Sequence, residues 1–474
     1  MNKSKFSLLI LLVMILSISA VAAADDTSDI AVQAVDDDAI MDVASDDVVG
    51  ANDTDVLADD GSTSPNFAEL ESSLDSSPVT LSSDYKRAEG DHDIQITTDV
   101  EIIGDNHKID ADKLGRIFYV NSGCTLTLTG VTLLNGNAEY GGAIYNNGGT
   151  VILNDCKFLN NTAQKSGGAV YNDQGTMSVT GSTFDGNDLT QRTTNGWGGA
   201  AIYSNKGTVT ITGSNITNNL KDIVHRGGTG TYTGDLSSGA VTSKNGALTV
   251  IDSRFEKNSG SYGGAILSDG ADAVLTVSGS TFADNFAFNG GAIECSDNRY
   301  TIIKSTFKGN DARGTGSAKT NNAHGGAIFA SVENSDSVIS ECVFEDNSAA
   351  FGGAISSVNT NIIACNFTNN TARMEYSESF NGKANNAGGV GDAIYSTSKI
   401  TIKDSNFTDN VNPRNKGVYA QNGEITGSSF TNTTLDLVNG PVTISDNTYD
   451  NDVGFDISTG NNPHIYFEVM IFLK

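Results

Sequence analysis

Apolar residues alternate with polar ones over short runs, and the runs recur about every 19–27 residues, as expected for one turn of a β-helix. The pairs Val151 and Leu153, Met177 and Val179, Leu275 and Val277, Ile400 and Ile402, and Val442 and Ile444 are typical. Each pair leads, five residues on, to an aromatic residue. Period-two alternation predicts strands with one face turned inward. Two residues before each aromatic runs a small inward column that includes Cys156, Ser182, Ser214, Ser253, Ser280, Ser305, Cys342, Cys365, Ser405 and Ser428. Each repeat therefore predicts three short strands. One turn alone cannot bury its apolar face, so turns must stack into a solenoid with three parallel sheets and a continuous core.

Two phrases mark the turns. The first is Gly-Gly-Ala-Ile/Val. It begins with Gly141 and Gly142, Gly167 and Gly168, Gly263 and Gly264, Gly290 and Gly291, Gly325 and Gly326, and Gly352 and Gly353. Its last residue, Ile144 in the first copy, points inward. The next position varies (Tyr145, Tyr171, Leu267, Glu294, Phe329, Ser356), as an outward position does. The second phrase is Phe-x-x-Asn. Its copies are Phe158 with Asn161, Phe184 with Asn187, Phe255 with Asn258, Phe282 with Asn285, Phe307 with Asn310, Phe344 with Asn347, Phe367 with Asn370, and Phe407 with Asn410. The Asn is expected at an inward turn, where stacked amides bond along the column. The Gly pair is expected where the chain turns tightly or where Cβ atoms of successive turns would collide. A dozen turns at about 4.8 Å give a rod of roughly 55–60 Å.

Four segments follow from the pattern. Residues 1–24 read as a signal peptide, with Lys3 and Lys5, an apolar run and Ala22-Ala23-Ala24 before Asp25. Residues 25–64 are an Asp-rich linker without Lys, Arg or aromatic residues, expected to be disordered. Residues 65–460 form the solenoid, opened by a capping helix over Asn66–Ser76 in which Phe67, Leu70 and Leu74 share a face. Residues 461–474 are an apolar cap or a chain that stops early; the run is too short to span a bilayer.

Composition narrows the function. The 474 residues carry a formal charge of -29, with 52 Gly and 5 Pro. Nucleic acid is not an expected partner, because phosphate binding needs a basic face. The His residues show no metal-ligand spacing and no cofactor is expected. Cys295 also falls inward, and core filling is the expected role of the cysteines. Cys342 and Cys365 lie on successive turns, within reach of a possible disulfide.

Paired GGA[I/V] and FxxN phrases resemble those of the chlamydial polymorphic outer-membrane proteins. The signal peptide, the Asp-rich stretch, Ile102–Asp110 with Arg116–Val120, and the repeats together resemble the adhesin-like surface proteins of methanogenic archaea. The resemblance covers about Phe67 to Tyr449. It implies an all-β fold, a single-stranded right-handed parallel β-helix of the pectin-lyase-like type, displayed at the cell surface as an adhesin. The chain lacks the barrel of the chlamydial proteins.

That fold also hosts polysaccharide lyases and glycoside hydrolases, so carboxylates need inspection. Outward acids are sparse: Glu294 after a Gly-Gly phrase, and Asp185, Glu256, Glu345 and Asp346 after Phe, mostly on non-adjacent turns. No catalytic residue is assigned, and a non-enzymatic adhesin is expected over an enzyme or an inert envelope protein. Four long links interrupt the rhythm at one corner: Asp188–Trp197, Leu220–Ser238, Asp311–His324 and Ala372–Val390. Insertions on one side of a solenoid often build its binding face. They carry Arg192, Trp197, His225, Arg226, Tyr232, Arg313, His324, Arg373 and Tyr376, the residues expected to contact a glycan or a protein of another cell.

Overall fold

The computed structural model describes residues 64–190, 198–220, 239–313, 323–331, 337–377, 385–412, 417–438, 442–450, 455–458 and 466–467. These belong to one compact unit, Ser62–Lys474. The predicted signal peptide, nearly all of the linker and most of the C-terminal segment lie outside the described residues.

Among the described residues every sheet ladder is parallel except one hairpin, Met374–Ser377 with Asn385–Gly388, inside the fourth long link. A representative turn runs Ile144–Asn147, Thr150–Asn154 and Lys157–Leu159, then a short strand, Thr162–Ser166. The first strand continues the Gly-Gly phrase and pairs residue for residue with Phe118–Val120 on one side and Val170–Asp173 on the other. The second, Thr150–Asn154, pairs with Thr125–Thr129 and Thr176–Thr180. The third carries the Phe and belongs to a 14-stranded sheet that runs from Tyr85–Lys86 to Thr448–Tyr449. In the last turns the corner between the first two strands is bridged, and Ile394–Lys403 and Val418–Thr426 each run through it.

Register places the predicted side chains inward. Val151, Leu153, Ile144 and Phe158 are fully buried, and the same columns form one core from Phe67 to Ile444. The Phe column stacks face to face, for example Phe282 on Phe307 and Phe307 on Phe344, each at 4.9 Å. At about 1.5–3 kcal/mol per fully buried large side chain, each turn gains several kcal/mol from its neighbours.

Polar columns sit beside the apolar ones. Asn161, Asn187, Asn219, Asn258, Asn285, Asn310, Asn347, Asn370 and Asn410 are all buried. In the pattern set by Asn310, each Nδ2 donates to the side-chain oxygen of the next turn (Asn347 Oδ1, 3.0 Å) and to a carbonyl of the previous turn (Phe282, 3.0 Å). The small column works alike: Ser253 Oγ accepts the Ser214 N–H and donates to the Ile251 carbonyl. Cys156, Cys342 and Cys365 replace Ser there and donate Sγ–H to carbonyls. All of this satisfies polar groups that burial would otherwise strand.

Both expectations for the Gly pair hold, one for each glycine. Gly141 adopts φ +60°, which a side chain disfavours. A Cβ on Gly142 would lie 2.3 Å from the Gly168 carbonyl oxygen and 2.5 Å from that of Thr162. The first glycine turns the chain and the second lets neighbouring turns approach. The second glycines of the middle turns repeat this: Gly264 lies against the Gly291 carbonyl oxygen, and Gly291 against that of Gly326.

The capping helix is Phe67–Ser73, continued by a 3-10 turn at Leu74–Ser76. Asn66 Oδ1 accepts the Glu69 N–H and Glu69 returns the bond to the Asn66 N–H, a complete capping box. Phe67, Leu70 and Leu74 bury against the first turns.

Candidate functional site

The outward position after each inward Ile, Val or Phe forms a continuous column, and over four turns it is tyrosine. Register aligns Tyr119, Tyr145, Tyr171 and Tyr203. Their rings stack at 5.2, 5.1 and 5.2 Å, with interplanar angles of 6°, 24° and 10°. Rings stacked along the rod cover each other's faces; Tyr119, Tyr145 and Tyr171 are half-buried and Tyr203 is buried, so the column offers the edges and phenol groups of three rings at one-turn spacing. Burial raises the Tyr145 pKa and, with the Tyr203 and Asp173 charges, that of Tyr171, so both remain protonated donors at neutral pH. Arg116 anchors the start: it pairs with Asp93 at 2.8 Å, and its guanidinium lies 5.2 Å from the Tyr145 ring centre.

Further along, the column reads Thr242, Leu267, Glu294, Phe329, Ser356, Tyr395 and Tyr419. A second aromatic group gathers where His324 stacks on Phe351 (5.0 Å, 17°) beside Phe329 and Tyr395. His324 Nδ1 shares a hydrogen bond with Ser356 Oγ at 3.0 Å, and burial lowers its pKa to about 4. The ring is therefore neutral at physiological pH.

Glu294 lies between the two aromatic groups, 5% exposed, and among the described residues nothing partners its Oε2. Burial raises its pKa to about 8, and nearby Asp269 adds to the shift against a hydrogen bond from Ser296. The folded chain thus holds this proton where the unfolded chain would release it. The stability this carboxyl allows is full below pH 4.5 and falls as pH rises to about 8. Glu294→Gln should remove that slope. Urea midpoints of the two proteins should agree near pH 4.5 and diverge in favour of the variant by pH 8; parallel curves would refute the assignment.

The residues expected from sequence separate into three sets. Arg192, Trp197, His225, Arg226 and Tyr232 lie outside the described residues, as does the side chain of Tyr376, whose backbone is in the hairpin strand Met374–Ser377. Arg313 and Arg373, from two different long links, converge on Asp311: Arg313 Nε lies 2.7 Å from Oδ2, and Arg373 Nη2 bonds Oδ1. Arg373 also donates to the Ala312 carbonyl at 2.9 Å, so these two cations brace the bases of neighbouring links. His324 sits in the aromatic group above. The described ends of the links leave the same corner, from the short strands Asp188–Leu189, Asp311–Ala312 and Thr371–Ala372.

The tyrosine column was missed by sequence reasoning, which treated the position as freely variable. The signal was present as aromatic residues at the same offset in consecutive turns. Cys342 and Cys365 are free thiols in contact on adjacent turns; that contact and burial raise the Cys342 pKa. Among the described residues no cluster of three or more His, Cys, Asp or Glu could hold a metal ion, and no helix is long and apolar enough to cross a membrane. A concavity of about 550 Å³ lies instead at the capping helix, lined by Asn66, Glu69, Lys86 and Arg87 among others.

Two segments, residues 155–173 and 341–358, match the Chlamydia polymorphic membrane protein (Chlamydia_PMP) repeat. Each contains one Phe-x-x-Asn and one Gly-Gly phrase. No curated protein matches the chain. Among solved structures it is similar to a PL6 alginate lyase in complex with a trisaccharide, at 14% identity over 84% of this chain and 89% of that one, with a TM-score of 0.27. A likeness that loose carries no argument about the chemistry of the column.

Proposed function

We propose that this chain is an exported cell-surface solenoid that attaches to glycan, on another cell or on its own envelope, through the side bearing the long links and the aromatic column. The phenol row carries this reading. Protonated tyrosine hydroxyls at one-turn spacing, on an unbroken rod, give a repeated set of donors and acceptors for a repeating hydroxylated polymer. The matched repeats support surface display, since the proteins that name them are membrane proteins. The test is a glycan array with the native chain and with Tyr145→Phe/Tyr171→Phe, which keeps the stack and removes two hydroxyls. Binding should fall at least tenfold. Unchanged binding would move the contact elsewhere, and an absence of ligands would favour an inert envelope rod.

Glu294 favours a second reading, a polysaccharide-processing enzyme, because a carboxylic acid still protonated at neutral pH is what general-acid catalysis requires. Release of reducing or unsaturated sugars from acidic polysaccharides, lost in Glu294→Gln, would establish it.

A further inference from the structure

The second strand of each turn presents a face that the functional reading leaves unused. Over six consecutive turns these strands are Thr125–Thr129, Thr150–Asn154, Thr176–Thr180, Thr208–Thr212, Ala247–Ile251 and Val274–Ser278. Their first, third and fifth residues point outward, in three columns held in register by the parallel ladders. No outward residue of these six strands is charged, and most are threonine. These outward positions contribute nothing to the chain's net charge of -29. By strand geometry this neutral field measures about 29 Å along the rod and about 14 Å across.

Charge of opposite sign flanks these six turns, with uncharged outward residues resuming further on at Val338, Ser340, Asn361 and Ile363. The preceding turn carries Asp99 and Glu101, both exposed; Glu101 is in register with Thr127, and Asp99, just ahead of the strand, accepts the Thr125 N–H through Oδ1. The following turn carries exposed Arg299, in register with Val274 and in the same column as Asp99. Arg299 has no ion-pair partner of its own among the described residues. The turns bearing Asp99 and Arg299 are equidistant from the middle of the field, which falls between Thr176–Thr180 and Thr208–Thr212.

We infer that this threonine face pairs with the same face of a second copy of the chain, the two rods antiparallel about a twofold axis lying along the strands. That axis reverses the order of turns and preserves the columns. Arg299 of each copy then meets the Asp99–Glu101 end of the other, twice over by symmetry. Elsewhere two acidic rods repel; here neutral methyl and hydroxyl groups meet, and opposite charges close both ends. At about 400 Å² per copy the contact lies below the range of stable specific complexes, so single pairs are weak and transient. Copies arrayed on two facing surfaces gain by multivalency. The contact is then homophilic, independent of the glycan reading and on a different face.

Sedimentation equilibrium of the whole chain over a concentration series tests it. The native chain should show a monomer–dimer equilibrium. Thr210→Arg, at the centre of the field, should weaken it at least tenfold. Arg299→Glu should also weaken it, and adding Glu101→Arg should recover part of the loss. Thr401→Arg, on the same outward column but beyond the field, should change nothing, with circular dichroism confirming native strand content throughout. A monomer at every concentration, a dimer indifferent to Thr210→Arg, or equal loss in Thr401→Arg would overturn the proposal. So would a monomeric native chain that instead sediments with an uncharged crystalline polysaccharide, which would assign the face to a solid surface.

Discussion

Replacing Asn310 by leucine should destabilise the protein by about 3–6 kcal/mol, although the side chains are close in size. Asn310 Oδ1 accepts both the backbone N–H and the Nδ2–H of Asn285, at 3.1 and 3.0 Å, and its own Nδ2 donates to the Phe282 carbonyl. Leucine strands the Asn285 N–H and one of the two Nδ2 hydrogens of Asn285 (the other still reaches the Phe255 carbonyl), and it loses the bond to the Phe282 carbonyl, at about 1–2 kcal/mol each. The side-chain bond to Asn347 Oδ1 is lost as well, but that oxygen keeps the Asn310 backbone N–H, so most of the damage falls on the preceding turn. Urea unfolding would read the total, and hydrogen exchange would place the opening around residues 282–310. Lys308→Ala, two residues away with an exposed side chain, should stay within about 0.5 kcal/mol. A leucine variant equally close to the native protein would show that the amide column contributes nothing net.

The largest effect is expected at Gly326. A Cβ there would lie 2.0 Å from the Gly353 carbonyl oxygen and 2.5 Å from the Ser348 nitrogen, both backbone atoms. Neither can move without parting two turns that share ladders on both sides. Gly326→Ala should therefore cost more than about 4 kcal/mol, among the most severe single substitutions. Gly213 is the contrast: φ is +57°, yet nothing lies within 4 Å of its would-be Cβ. Gly213→Ala should cost only the left-handed backbone penalty, about 1–2 kcal/mol. Thermal unfolding of the two variants separates close approach from conformation as the reason for glycine. Equal losses would contradict the separation.

Much of this architecture was legible because a β-helix repeats its constraints. Phe158, Asn161 and Gly142 each recur with the same neighbours at the same offset, so period-two parity alone assigns the Phe inward. The helix over Phe67–Ser73 was readable for a different reason: Phe67, Leu70 and Leu74 keep helical spacing behind Asn66. The tyrosine column was not seen because Tyr145 and Tyr171 share their position with Leu267, Glu294 and Ser356. Variation at one offset hides a run confined to four turns. Nor could sequence show that Arg313 and Arg373 both close on Asp311. Arg373 lies 62 residues from Asp311, and the links between have no repeat to fix their register.

The asparagine column has a direction. From Asn161 to Asn410 the amides donate toward the later turn and accept from the earlier one, and Thr433 ends the series by accepting from Asn410 and donating to the Thr431 carbonyl. Each turn is therefore interchangeable at its junctions. A whole repeat could be duplicated or excised between those limits, and the flanking amides would rejoin without an orphaned donor. Such a chain can change its reach by gene-level gain or loss of single turns while the capping helix stays as it is.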